Sequence, residues 1–424
     1  MSLIGNAGPQ SPVFSLRGET GTSTPVGRSY DIASINPLRS EKRIGYNSVN
    51  RMLFAIRFLL FSWVVLTSIG SAAQTPRPTP TPDDEGEVIR VDTQLIAVPV
   101  AVSTGANAVR GLKASNFIIY EDGKRQEIAD FSATAEPFEI ALLLDTSGSA
   151  RNELQLIKNA AKIFINSLRP GDRISIVAFD TDRSDAKPFA MGDVVLPLSS
   201  DRGALSDAVE RIAVSNGTPL YDSMVEIASK VFREPPSKDF VGRRAMVALT
   251  DGVDSTSVND FATAKEELAG RGIISFFISV DTRDFFESGL LGDCQSATRF
   301  SVQQIRRYYK SFAPKAKAER AVNFCQLGDF ERLAVSKKLY EIANVEMQEL
   351  AKTSGGKVFP VGELAEARGA FRAVAEEIGT KYTLGYYPTN DKRDGTYRKI
   401  KVELKGVPAG AVLRTREGYT APKN

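Results

Sequence analysis

Residues 138–149 read Phe-Glu-Ile-Ala-Leu-Leu-Leu-Asp-Thr-Ser-Gly-Ser. The run 140–144 is apolar without interruption. It is too short for a helix and turn-forming residues follow it at once, so it predicts a strand buried on both faces of a parallel sheet. Asp145 stops the run, and Ser147 and Ser149 follow at alternate positions. A carboxylate and two hydroxyls are hard oxygen donors. The carboxyl end of a central strand is also where open α/β sheets bind ligands. The same serines can instead cap a helix starting near Arg151, so the motif has to be weighed with the rest of the chain.

C-terminal to this stretch, strand and helix patterns alternate. Leu154, Ile157, Ala161, Phe164 and Leu168 form one apolar helical stripe, closed by Pro170-Gly171. Residues 173–179 predict the next strand and 193–198 an edge strand. Residues 201–213 and 221–232 predict helices around the loop Ser215-Asn216-Gly217-Thr218-Pro219. Residues 244–249 are a second buried strand ending in Thr250-Asp251-Gly252, 258–269 a helix, and 273–280 a strand ending at Asp281. After an irregular stretch the alternation resumes: a helix over 338–353 stopped by Ser354-Gly355-Gly356, a strand at 357–360, and a helix marked by Leu364, Phe371, Val374 and Ile378. This is the pattern of a doubly wound, mostly parallel α/β sheet over residues 137–380.

Residues 282–336 interrupt it as an insertion. They carry the basic and aromatic run Arg306-Arg307-Tyr308-Tyr309-Lys310, read as a solvated helix face. They also carry both cysteines, Cys294 and Cys325, which predict a disulfide in an exported chain. On the flanks, residues 88–136 have strand character, with Ile96, Val98, Val100 and Val102 alternating and a hairpin signal at Asp122-Gly123 between 117–121 and 124–131. This unit is too thin to bury a core alone. Residues 382–387, strands around 399–404 and 412–419, and the rest of 381–424 are predicted to complete it as a small accessory β domain.

The N-terminal residues divide differently. Residues 1–50 are rich in Gly, Ser, Pro and Asn and read as disordered or as an upstream start, with Met52 the better start. Residues 51–73 combine Arg51 and Arg57 with an apolar run of 12 residues at 58–69 and Ser71-Ala72-Ala73 before Gln74. That predicts a cleaved signal peptide, with an uncleaved anchor as the alternative. Residues 74–87 are a Pro/Thr spacer with an acidic end.

Composition excludes several chemistries. The chain has no histidine and two cysteines, which removes Ser-His-Asp and Cys-His catalysis, His-ligated zinc and a four-thiolate zinc site. The first 73 residues hold 7 Lys/Arg and 3 Asp/Glu of the chain's 54 and 51, so the remainder carries 47 basic and 48 acidic residues. That balance has no nucleic-acid footprint. Any metal is held mostly by oxygen.

Asp145-x-Ser147-x-Ser149, the Gly217-Thr218 loop and the Thr250-Asp251-Gly252 turn together resemble the von Willebrand factor A (VWA) domain and its metal-ion-dependent adhesion site, or MIDAS. The resemblance implies that Ser147, Ser149 and Thr218 hold the ion directly, while Asp145 and Asp251 act directly or through water. Further stretches resemble the VWA-related proteins typical of acidobacteria: residues 117–123, Thr353 to Gly356, Leu384-Gly385-Tyr386-Tyr387-Pro388 and Arg416-Glu417-Gly418-Tyr419. The expected cation is Mg2+, with Mn2+ or Ca2+ as alternatives. Neutral hydroxyl ligands leave it residual positive charge, which an Asp or Glu of a partner protein can meet. The expected function is an exported, cation-dependent protein-binding or adhesion module. A scaffold subunit of an envelope complex is the alternative, and a metal-dependent hydrolase is less favoured because no Glu or His base accompanies the ligand set.

Overall fold

The computed structural model describes residues 94–105, 107–132, 137–148, 153–182, 189–237, 240–295, 299–312 and 323–423. The expected disordered segment, signal peptide and spacer lie outside these residues, as does Ser149. In chain order the strands are β1 (Ile96–Thr104), β2 (Asn107–Ala108), β3 (Phe117–Glu121), β4 (Lys124–Gln126), β5 (Asp130–Ser132), β6 (Glu139–Leu144), β7 (Arg173–Asp182), β8 (Phe189–Ser199), β9 (Arg244–Thr250), β10 (Ile274–Val280), β11 (Lys357–Val361), β12 (Tyr382–Tyr386), β13 (Tyr397–Leu404), β14 (Ala411–Thr415) and β15 (Gly418–Thr420). The helices are α1 (Leu154–Ser167), α2 (Arg202–Arg211), α3 (Leu220–Glu226), α4 (Phe261–Gly270), α5 (Arg283–Leu290), α6 (Val302–Phe312), α7 (Asp329–Ser354) and α8 (Ala367–Gly379).

Every residue of β6 is buried, as a central strand with helices on both faces requires. The main sheet runs β11-β10-β9-β6-β7-β8. Its strands are parallel except the edge strand β8, which pairs antiparallel with β7. Side chains alternate across β6. Ile140, Leu142 and Leu144 pack with residues of α1, α2 and α8, whereas Ala141 and Leu143 pack with α3, α4 and α7. The chain winds one way from β6 to β7 and the other way from β9 to β10 and β11. The direction of winding therefore reverses between β6 and β9, and the crevice at their carboxyl ends is the position where such sheets bind ligands.

The flanking strands form a second layered unit. β14-β1-β12-β5, with β2 on β1, make one sheet, and β15-β13-β3-β4 another. Ile96, Val98, Val100, Tyr382, Leu384 and Tyr386 from the first sheet share one core with Phe117, Ile119, Ile400, Val402 and Tyr419 from the second. The accessory β domain is thus a sandwich built from chain segments on both sides of the α/β domain. Buried inside it, Glu121 accepts hydrogen bonds from Tyr386 (2.6 Å) and Tyr419 (2.9 Å), with Arg398 at 3.6 Å.

Three of the boundaries read in the sequence shift in a way that changes which elements pair or where a core lies. The strand expected at 124–131 divides: β4 pairs with β3, and β5 crosses to pair with β12 in the other sheet. The strand expected over 412–419 divides likewise into β14 on β1 and β15 on β13. A single run of alternating residues carries no mark of which sheet each half joins. The helix expected from Lys338 starts at Asp329. Its first turns belong to the insertion: Val335, Leu339 and Ala343 pack against Leu290, Phe300, Ile305 and Phe324 in a separate core. The Cys294–Cys325 disulfide, with 5.2 Å between Cα atoms, closes this subunit of structure. Within it Arg307 is not simply solvated. It pairs with Glu346 of α7 and lies over the Tyr221 ring at 5.0 Å.

Candidate metal centre

The site is set by strand register. β6 and β9 pair with Leu144 beside Leu249, so both strands run out at the same level. The Asp145 N–H then donates to the Leu249 carbonyl (3.0 Å). Asp145 is 7% exposed. Its Oδ1 accepts from the Ser147 N–H (3.0 Å) and its Oδ2 from the Thr250 hydroxyl (2.7 Å). Burial pushes its pKa up, and the donors from Ser147 and Thr250 oppose the shift. One turn on, Asp251 accepts at Oδ1 from the Val253 N–H (2.9 Å) and at Oδ2 from the hydroxyls of Thr282 (2.5 Å) and Tyr340 (3.4 Å). Burial, and then the nearby negative charge of Asp145, raise its pKa to about 7. Among the described residues neither carboxylate forms an ion pair with a Lys or Arg.

Loops tie the other donors to this pair. The Ser215 N–H donates to the carbonyl of Thr146 (2.8 Å), and the Thr146 hydroxyl donates to the Phe179 carbonyl (2.7 Å). Ser147 is 7% and Thr218 8% exposed. The Thr218 backbone is clasped by Ser255, whose hydroxyl accepts from its N–H (2.8 Å) and whose N–H donates to its carbonyl (3.0 Å). Gly217 is required here by close approach: a Cβ would stand 2.7 Å from Thr256 Cγ2 and 3.0 Å from Ala190 Cβ.

Asp254, Ser255 and Ser257, just past Asp251, do not cap the helix that follows them. Instead they hold α3, the helix after Thr218. Asp254 Oδ2 accepts from the N–H groups of Leu220 (3.0 Å) and Tyr221 (3.4 Å), and Ser257 Oγ from that of Asp222 (3.1 Å). The helix they precede is capped by Asp260, which accepts from Thr263 N–H at 3.0 Å. Thr282 and Tyr340 were not singled out from sequence, and Thr250 stood there only as part of the turn that holds Asp251.

The model of the von Willebrand factor type A domain family matches residues 140–253, a span that runs from the first strand of the site through Asp251. Residues 140–253 are a VWA domain. Solved structures similar to this chain include proximal thread matrix protein 1 from the mussel byssus, at 14% identity over 65% of this chain and 51% of that one, with a TM-score of 0.37. They also include BatB from Bacteroides thetaiotaomicron (17% identity, 57% of this chain and 97% of that one, TM-score 0.32) and a von Willebrand factor type A protein from Catenulispora acidiphila (13%, 78% and 75%, 0.36). The match spans about half the length of the mussel protein. No protein of curated function matches the sequence.

The residues of the VWA domain fit a hard cation. Both carboxylates already accept bonds that fix their orientation, and their remaining lone pairs suit direct or water-mediated contact. Ser147 and Thr218 would add neutral hydroxyl oxygens, and Ser149 a third. Among the described residues no group of three Asp, Glu, Cys or His gathers in one place. A site here therefore depends on hydroxyls as well as on acids.

Proposed function

We propose that the crevice at the ends of β6 and β9 binds a divalent cation, Mg2+ or alternatively Mn2+ or Ca2+, and through it an Asp or Glu of a partner protein. Ser147, Ser149 and Thr218 would hold the cation directly, and Asp145 and Asp251 directly or through water. The observation that carries this reading is the carboxylate pair: two acids at adjacent strand ends, both with raised pKa, one raised in part by the charge of the other, with no basic side chain paired to either. Such a pair is stabilised by a cation from solution. When bound, the cation would supply a positive centre to which an incoming carboxylate can add. The role of the chain's own groups is to orient: Thr250 fixes Asp145, while Thr282 and Tyr340 fix Asp251.

The protein acts in this reading as an exported interaction or adhesion module rather than an enzyme, of the kind carried by the VWA-related proteins of acidobacteria. Interaction is the usual work of VWA domains, the chain contains no histidine to act as a proton shuttle, and its cysteines are paired in a disulfide, as suits an oxidising compartment. No helix among the described residues is long and apolar enough to cross a membrane.

Calorimetric titration with Mg2+ and Mn2+ tests the site. One saturable event is expected in the wild type and none in Asp145→Ala, and unchanged affinity in the variant would refute the assignment. A pull-down from envelope extract with and without EDTA tests the partner: capture that persists in EDTA removes the cation from the binding step.

A further inference from the structure

A second cavity lies at the opposite end of the main sheet, where α4, the start of β10 and the end of α7 meet the accessory sandwich. Its volume is about 200 Å³. Leu268 of α4 and Leu350 of α7 form part of an apolar wall, and the rings of Tyr397 and Tyr419 lie on the sandwich side. Two polar groups line it without partners. Ser275 is fully buried, and its hydroxyl makes no hydrogen bond. Arg416 has a buried Nε with no acceptor, and among the described residues its side chain forms no ion pair. Burial lowers the Arg416 pKa, and the groups opposing that shift are Tyr386, Tyr419 and Tyr397 rather than a carboxylate. The guanidinium is 5.6 Å from the Tyr419 ring.

The neighbouring charges are already matched to each other. Lys265 pairs with Glu349 (2.5 Å) and Lys352 with Glu417 (3.0 Å). That leaves Arg416 as the cation of the cavity without a carboxylate partner among the described residues. Arg416 is half-buried, but its Nε is closed off from water without an acceptor, and native proteins rarely leave such a group so. Its planar fork is suited to a carboxylate held by two parallel hydrogen bonds. The apolar wall asks for more than a bare anion. A cavity of about 150 Å³ lined by aliphatic and aromatic side chains accommodates a benzene ring, so this space fits a single ring or a short branched chain.

We propose that this cavity is a binding site for a small carboxylate with an apolar body, its carboxylate paired with Arg416 and hydrogen-bonded by Ser275, its body between Leu268, Leu350 and the two tyrosines. The site is separate from the cation crevice and does not depend on it.

Benzoate is the probe, with benzyl alcohol as the uncharged analogue and sulfate as the bare anion, each titrated calorimetrically into the full chain in EDTA. Benzoate is expected to bind at one saturable site, at least tenfold more tightly than benzyl alcohol or sulfate. Arg416→Gln is expected to weaken benzoate at least tenfold and leave benzyl alcohol unchanged. Should that variant fail to fold, Ser275→Ala serves instead, with a several-fold loss for benzoate alone. Absence of saturable binding, benzoate affinity unchanged in a folded variant, or sulfate binding as tightly as benzoate would each overturn the assignment.

Discussion

The Thr250 hydroxyl donates a hydrogen bond to Oδ2 of Asp145 across 2.7 Å, and this bond lies outside the set of proposed ligands. Groups that orient a ligand are worth about 10–100-fold in metal affinity. Thr250→Val keeps the shape and removes the donor. It is expected to weaken Mg2+ binding by roughly tenfold and, because the same hydroxyl accepts from the Gly252 N–H (3.0 Å), to lower the urea midpoint as well, as titration and equilibrium unfolding would show. Tyr340→Phe acts on Asp251 through a longer bond (3.4 Å) and is expected to have a smaller effect in the same titration. A cation contact made by these residues rather than by the acids would reverse that order. At this scale the sequence was readable where motif residues are contiguous. Asp145, Ser147, Thr218 and Asp251 could be singled out because each follows a strand or fills a recognisable turn. Thr282 and Tyr340 could not, since a threonine after a strand and a tyrosine within a helix are ordinary until the fold brings them to one carboxylate.

Among elements, the loop between α2 and α3 is the most constrained part of the site. Gly217 passes so close to Thr256 and Ala190 that an added methyl would overlap both. Gly217→Ala is expected to cost about 1–3 kcal/mol of stability and to lower cation affinity, because Thr218 must move with the loop. Unfolding and titration on the same variant check both. Gly356 is tighter still: a Cβ there would stand 1.9 Å from the Ser275 carbonyl. Backbone cannot retreat as a side chain can, so Gly356→Ala is expected to exceed ~3 kcal/mol, read from the shift in urea midpoint. The doubly wound order was legible in the alternation of buried runs with helical stripes, because each period is written in consecutive residues. The division of 124–131 and 412–419 between two sheets was not. Which sheet a short strand joins is decided by partners far along the chain, such as Leu384 for Phe131 and Val102 for Leu413.

At the scale of the molecule, one buried cation makes stability depend on alkaline pH. The Lys381 side chain is enclosed, donates to the Gly355 carbonyl (2.7 Å) and lies 3.9 Å from Glu377. Burial draws its pKa down to about 8, against the pull of Glu377. Below that value the lysine is protonated whether the chain is folded or not. Between about 8 and the ordinary lysine value near 10.5 the unfolded chain binds the extra proton, so stability rises with pH, by up to roughly 3 kcal/mol. Buried tyrosines work the other way once unfolded tyrosine ionises near 10: burial raises the pKa of Tyr221 and Tyr386. Urea melts are therefore expected to move to higher midpoint from pH 8 to about 9.5, and Lys381→Met to remove the rise. A flat profile in the wild type would contradict the burial of a charged amine.

The sandwich closes late in the life of the polypeptide. Glu121 and Tyr386, which meet in its core, are 265 residues apart. During synthesis the early strands emerge long before β12 to β15 exist to receive them. Their edges stay open to unwanted pairing with other chains until the last strand is out. A premature stop codon or a protease cut just beyond α8 would leave the VWA domain whole and strand β1 and β3 unpartnered. Such a product is expected to clump rather than to persist as a smaller working form, and a holding chaperone would have most to do on residues 94–132 of the nascent protein.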